Sequence, residues 1–143
     1  MKVITIKQPW ATLIALGEKK FETRSWATKH RGPLAIHAGK SIDRDACEYI
    51  PIKEALEKHG ISNYKELPTG VILATTILTN CHKVPEEHTV EGIEFGKMLR
   101  GDEVYFGNYE AGRFAWELSE IQVIKPVPTK GQLSLWNWDE GSK

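Results

Sequence analysis

The chain has 143 residues, 41% of them hydrophobic and 27% charged, with 19 basic side chains matched by 19 acidic ones. That length fits one domain with a real apolar core, and the composition argues against intrinsic disorder across the body of the chain. Zero formal net charge argues against the strong, sequence-blind attraction to duplex nucleic acid that a highly basic domain shows, and leaves room for a local basic pocket.

Lys2 to Lys7 alternate weakly, with Ile4 and Ile6 on one face, and are predicted as a first strand. Pro9 suits the first turn of a helix because it lacks an N–H that the helix would leave unpaired, and Gly17 is a natural left-handed stop. Between them Trp10, Leu13 and Leu16 share one face at spacings of three. Lys20 to Trp26 is predicted as extended, with Phe21 and Thr23 on one side and Glu22, Arg24 and Trp26 on the other. Gly32 and Pro33 mark a turn before a compact strand, Leu34 to Ala38. Ser41 to Gly60 is expected as a helix in two pieces, broken by Pro51 and closed by Gly60. The β-branched run in "LPTGVILATTIL" is the strongest strand signal in the chain.

Further on, Gly107 to Gly112 supplies turn residues between two aromatic-rich segments predicted as strands joined by a hairpin or short loop. Phe114, Trp116 and Leu118 share one parity while Ile121 and Val123 share the other, so a bulge or bend is expected near Ser119, and Pro126 and Pro128 end the strand. Short strands interrupted by a few helices imply an α+β domain built on a small β-barrel of five or six strands. One domain is expected over residues 1–138, with a loose tail at 139–143.

Cys47 and Cys81 are too sparse for a disulfide scaffold and are read as reduced. The first ten residues carry no apolar run of signal-peptide length and nothing approaches a membrane span, so a cytoplasmic location without a membrane partner is the expectation. Acids gather at Glu86, Glu87, Glu91 and Glu94, and bases at Lys19, Lys20, Arg24, Lys29, His30 and Arg31.

The stretch "GEKKFETRSW" spends charge where a core strand is due. Glu22 and Arg24 emerge on one strand face about 7 Å apart, which fits either a solvated ion pair or charges held for a ligand. Lys19 has the wrong parity, yet lies in the turn after Gly17 and is free to swing in beside them. Such a trio suits a phosphate and a base edge, arginine offering a planar donor fork and lysine a mobile ammonium; it equally suits proton transfer, with Lys19 as base or nucleophile and Glu22 assisting.

Of five tryptophans, Trp26 shares parity with Glu22 and Arg24 and is the first candidate to stack on a base, with Trp10 second. Gln8 offers an amide that matches a base edge, and Lys130 sits in a turn within reach of phosphate. His37, in a strand beside small residues, has the setting of a hydrogen-bonded structural histidine and is the remaining ligand-binding candidate. The histidines and cysteines lack paired ligand spacing, so no metal is expected. With no phosphate loop, dinucleotide turn or nucleophile elbow, no cofactor is expected either.

Gly17, Lys19, Glu22 and Arg24 read as G-x-K-x-x-E-x-R directly after "IKQPWATLI", and "GPLAIHAGK", "GVILATTIL", "GRFAWEL" and "KGQLSLWNW" follow in order. From Ile4 to Trp138 the chain thus resembles the bacterial members of the ASCH domain family, which is similar to PUA-like RNA-binding domains. The resemblance implies a small barrel with helices packed around it and a cleft lined by the motif, binding RNA, single-stranded or modified, or a nucleoside. Some small relatives resemble amidohydrolases that deacetylate N4-acetylcytidine with a lysine, a threonine and a glutamate; others resemble ribonucleases. The lysine carries over to Lys19, the threonine position is occupied by Glu22, and Glu103 and Glu117 are the candidates for the glutamate. Protein partners are left open by the sequence.

Overall fold

The structure, a computed structural model, describes residues 1–86, 93–94, 98–99 and 101–139. Glu87, His88 and Glu91 of the acidic stretch, and most of the expected tail, lie outside the described residues.

The alternating first segment forms β1 (Lys2–Gln8), followed by α1 (Trp10–Ala15), β2 (Phe21–Arg24) and β3 (Gly32–Ile42). Two helices, α2 (Arg44–Glu48) and α3 (Ile50–Lys58), lead to the long β4 (Val71–Lys83). Two short strands, β5 (Ile93–Glu94) and β6 (Met98–Leu99), pair with each other. A 3₁₀ segment at Gly101–Phe106, β7 (Phe114–Pro128) and β8 (Leu135–Asn137) complete the order.

The principal sheet has six strands in the order β2-β7-β4-β3-β1-β8, with β1 and β3 parallel and the other pairs antiparallel. Alternation puts Ile4 and Ile36 on one face and their neighbours Val3 and Ala35 on the other. Both sets are buried, because Ile4 and Ile36 pack with Ala11 and Ile14 of α1, whereas Val3 and Ala35 pack with Ile72 and Trp136. Leu13, on another side of α1, joins Ile52, Ala55 and Leu56 of α3 and Phe106 in a separate cluster. One six-residue helix therefore ties the sheet to the helical lobe. Leu13 is fully buried as its spacing implies, while Trp10 and Leu16 are only half-buried.

The α+β class holds, but the sheet is not closed into a barrel. Among the described residues no ladder joins β2 to β1 or β8. The reason lies in β8, whose three residues cover only Lys2, Val3 and Ile4 of β1. At Thr5 the covering stops, and there Arg24 reaches across from β2 to donate to the Thr5 carbonyl at 2.8 Å. A side chain spans the gap that a ladder would fill in a closed barrel.

Two local expectations change. Pro51 does not break a helix but lies in the first turn of α3, where its missing N–H costs nothing; the break falls at Tyr49, extended at φ −65°, ψ 122°. "GDEVYF" is a 3₁₀ segment rather than a strand, so the 107–112 stretch is a loop and not a hairpin turn. The irregularity near Ser119 is present: β7 slips register against β4 between Ser119 and Gln122, and Glu120 takes φ +51°.

Candidate functional site

Lys19 is aimed by the end of α1. Glu18 N–H donates to the Leu13 carbonyl and Gly17 N–H to that of Ile14, with Gly17 at φ +79°. This is a Schellman stop, which a residue with a Cβ would strain at Gly17. Lys19 N–H adds a further bond to Leu13, and the chain then turns inward. The Lys19 side chain ends up 1% exposed, its Nζ donating to the Phe106 carbonyl at 2.8 Å and standing 3.9 Å from Glu22 Oε1.

Glu22 and Arg24 leave β2 on the same face, as strand parity requires, and Arg24 Nε donates to Glu22 Oε2 at 2.9 Å. The carboxylate thus lies between an ammonium and a guanidinium, both already anchored on backbone carbonyls. Two of the guanidinium's donors are engaged, by Glu22 and Thr5, and the side chain stays partly open to solvent. Among the described residues its remaining N–H groups have no other acceptor and are available to one in the cleft.

Burial pushes the Lys19 pKa below its ordinary value, and Arg24 adds to that; the Glu22 and Glu103 carboxylates pull the other way without winning. Glu103 sits behind the trio. One of its oxygens accepts the Lys20 N–H while the other, Oε2, is buried with no partner among the described residues. Burial raises the Glu103 pKa against the opposing pull of Lys19 and of the backbone bonds. Tyr109, also buried and unpartnered at its hydroxyl among the described residues, is shifted upward for the same reason, with Glu103 and Glu22 contributing. Because the Glu103 charge helps keep the proton on Lys19, Glu103→Gln is expected to move the Lys19 titration to lower pH. The Nζ resonance of Lys19 would report it, and an unchanged titration would exclude the coupling.

These groups line a cleft of about 880 Å³ in the gap between β2 and β1. Its walls include Thr5, Lys7, Trp10, Lys19, Glu22 and Arg24, with Trp26 beside them. Lys40, Arg113 and the edge of the 3₁₀ segment at Tyr105 and Phe106 face the same space. Among the described residues, five cationic side chains therefore meet one carboxylate, in a chain with no formal net charge. Trp26 is half-buried, its ring held edge-on against Trp116 at 4.9 Å.

The structure brings Lys19, Glu22, Arg24, Trp10 and Trp26 to this cleft, but not Gln8, His37 or Lys130. The Gln8 amide is fully buried and engaged inside the protein: Nε2 donates to Thr12 Oγ1 and the Pro68 carbonyl, and Oε1 accepts from Thr12 N–H. It holds the start of α1. His37 packs under the 129–131 turn, its Nε2 2.8 Å from the Thr129 carbonyl and its Nδ1 3.2 Å from Thr5 Oγ1. Trp136 Nε1 donates to the same Thr5 oxygen. A carbonyl can only accept, so Nε2 is protonated and donates to Thr129. Lys130 is exposed in the turn, outside the cleft.

Lys7, Lys40, Arg113 and the Phe106 carbonyl escape the sequence reading. They come from strands and a loop whose adjacency depends on sheet order, and only Lys7, next to the motif-bearing helix, carried a local signal. Of the two glutamates weighed as a catalytic partner, Glu103 couples to Lys19, whereas Glu117 pairs with His82 at 2.7 Å.

The ASCH domain pattern matches residues 4–128. The chain is similar to activating signal cointegrator 1 from Homo sapiens, 32% identical over 80 residues, and from Mus musculus, 34% identical over 80 residues. Each match takes in 54% of this chain and 14% of the relative, so the chain spans only a small part of those proteins. Among solved structures it resembles ASCH from Zymomonas mobilis, with a TM-score of 0.57 at 16% identity, covering 98% of this chain and 88% of that one. A mutant form of the Zymomonas mobilis protein gives 0.59 at 15% identity, covering 97% and 90%. Among the described residues no helix is long and apolar enough to cross a membrane. The motif Gly17, Lys19, Glu22, Arg24 and a pattern running through most of the chain lead to one conclusion: this protein belongs to the ASCH domain family.

Proposed function

We propose that the cleft binds RNA, single-stranded or carrying a modified base, through one splayed nucleotide, with a free nucleoside as the minimal ligand. The observation that carries this reading is the convergence of Lys19, Glu22 and Arg24 in a cation-rich hollow of about 880 Å³. Clefts of roughly 300–1,000 Å³ hold small organic ligands, so a base with its sugar fits. The free N–H groups of Arg24 suit a phosphate or a base carbonyl, and Glu22 suits an exocyclic amine. Trp26 is the stacking surface, with Trp10 second; Lys130, outside the cleft, suits a phosphate further along the strand. Gln8 and His37 act as supports rather than contacts.

Net neutrality of the chain combined with a local cationic lining has a testable consequence. Affinity for short single-stranded RNA is expected to fall with salt, but with a shallow slope set by only two or three phosphates, on the order of −0.7 per phosphate. Titration at two salt concentrations measures it. A salt-independent affinity, or no binding at all, contradicts the reading.

A second reading is favoured by the buried, pKa-lowered Lys19 beside two carboxylates: an amidohydrolase acting on an acylated nucleoside such as N4-acetylcytidine. Lys19 would take a proton from a water molecule while that water's oxygen attacks the acetyl carbonyl, and, with Glu22 assisting, pass the proton to the departing N4 as the C–N bond breaks, releasing acetate and the free amine. Acetate release is the assay, and full turnover by Lys19→Ala would eliminate it.

A further inference from the structure

Five large apolar side chains are exposed among those described: Tyr49, Ile50, Tyr105, Val123 and Leu133. Tyr105 and Leu133 line the cleft, and Tyr49 touches Tyr105 with ring centroids 6.2 Å apart at 67°. Ile50 follows Tyr49 directly. Three of the five, Tyr49, Tyr105 and Leu133, are therefore on or beside one site, which is how an interaction surface differs from scattered surface residues.

Tyr105 is held in place rather than loosely displayed. Its neighbour Phe106 is buried against Leu13 and the α3 residues, and the Phe106 carbonyl anchors Lys19. One aromatic of the pair is inside while the other, Tyr105, is 51% exposed. Tyr49, itself fixed at the junction of α2 and α3, meets the Tyr105 ring in a T-shaped arrangement, and both rings keep about half of their surface open to solvent. The exposed Lys7 and Lys40 side chains line the same cleft.

We propose that Tyr105, braced by Tyr49, is a stacking platform for the base adjacent to the one in the cleft, so that the preferred ligand is a single-stranded polynucleotide and not a free nucleoside. The inference rests on the nucleotide-binding reading above and specifies its ligand. Continuity with the cleft favours a strand over an unrelated partner, since a ligand leaving the hollow on that side crosses the Tyr105 ring. Charge favours it too: the adjoining cations suit a polyanion and would be left facing an apolar partner.

The test compares nucleoside monophosphates with single-stranded octanucleotides of A, C and U, titrated by calorimetry against the full chain, Tyr105→Ala and Tyr105→Phe. Wild type is expected to favour the octanucleotide. Tyr105→Ala should cut the ratio of octanucleotide to monophosphate affinity by at least about fivefold, and Tyr105→Phe should keep it, because stacking uses the ring face and not the hydroxyl. A wild-type ratio preserved in Tyr105→Ala overturns the platform, as does a wild-type dimer in sedimentation that Tyr105→Ala abolishes. Monophosphate binding without any octanucleotide advantage defeats this inference alone; absence of binding by both ligands defeats the underlying reading with it.

Discussion

Arg24→Ala is expected to weaken binding of a short single-stranded RNA by roughly thirtyfold or more, the equivalent of about 2 kcal/mol for lost charge-assisted hydrogen bonds. The guanidinium does three things at once. It neutralises Glu22, ties β2 to the Thr5 carbonyl where the sheet is open, and turns its remaining donors to the cleft. Removing it leaves the Glu22 carboxylate with only the more distant Lys19 ammonium, so the site becomes less positive and less ordered together. Arg24→Lys should recover little, since an ammonium cannot make the planar fork that serves Glu22 and Thr5 simultaneously. Calorimetry on both variants, with circular dichroism to verify folding, measures the effect. Affinity unchanged in Arg24→Ala would remove Arg24 from the site.

Lys19→Met separates the functional from the structural role of the buried ammonium. A buried ion pair that only stabilises the fold costs about 3–5 kcal/mol when one partner is removed. Lys19 differs, because its lowered pKa means that burial outweighs its attraction to the carboxylates, and the charge is held at an energetic disadvantage. Methionine fills much the same space without that penalty, although the Phe106 carbonyl loses its donor. The expected loss of stability in urea denaturation is therefore no more than about 2 kcal/mol. Anion affinity should fall at least about tenfold, as expected for one desolvated charge contact.

The same substitution has a pH signature. In wild type the ammonium loses its proton below the usual lysine range, so binding of an anionic ligand should weaken as pH rises through that lowered pKa. In Lys19→Met this falling limb should be absent. A destabilisation of about 3–5 kcal/mol with unchanged affinity would make Lys19 a purely structural ion.

The motif strand was legible because strand parity alone puts Glu22 and Arg24 on one face, and the inward swing of Lys19 follows from a left-handed glycine ending a short helix. The irregularity in β7 was legible for a related reason, a change of parity between Leu118 and Ile121 that an unbroken strand cannot accommodate. Other features needed tertiary context. "EVYF" carries strand-forming residue types, yet Phe106 is drawn into the cluster beneath α3 and the segment coils as a 3₁₀ turn. Pro51 is compatible with breaking a helix or starting one, and the extended Tyr49 before it decides for starting. The Gln8 amide suits a base edge or a structural role equally well by its chemistry, and only burial shows both of its ends bonded within the fold. That the sheet stays unclosed depends on how few residues β8 contributes, which no periodicity encodes.

Amide chemical-shift mapping during titration of the full chain with a single-stranded octanucleotide tests the central claim most directly. The largest changes are expected at residues 5–7, 22–26, 39–41 and 105–108, the segments that wall the cleft. Changes confined to the outer stretch of β4 and β7, or to the Lys130 turn alone, would contradict it.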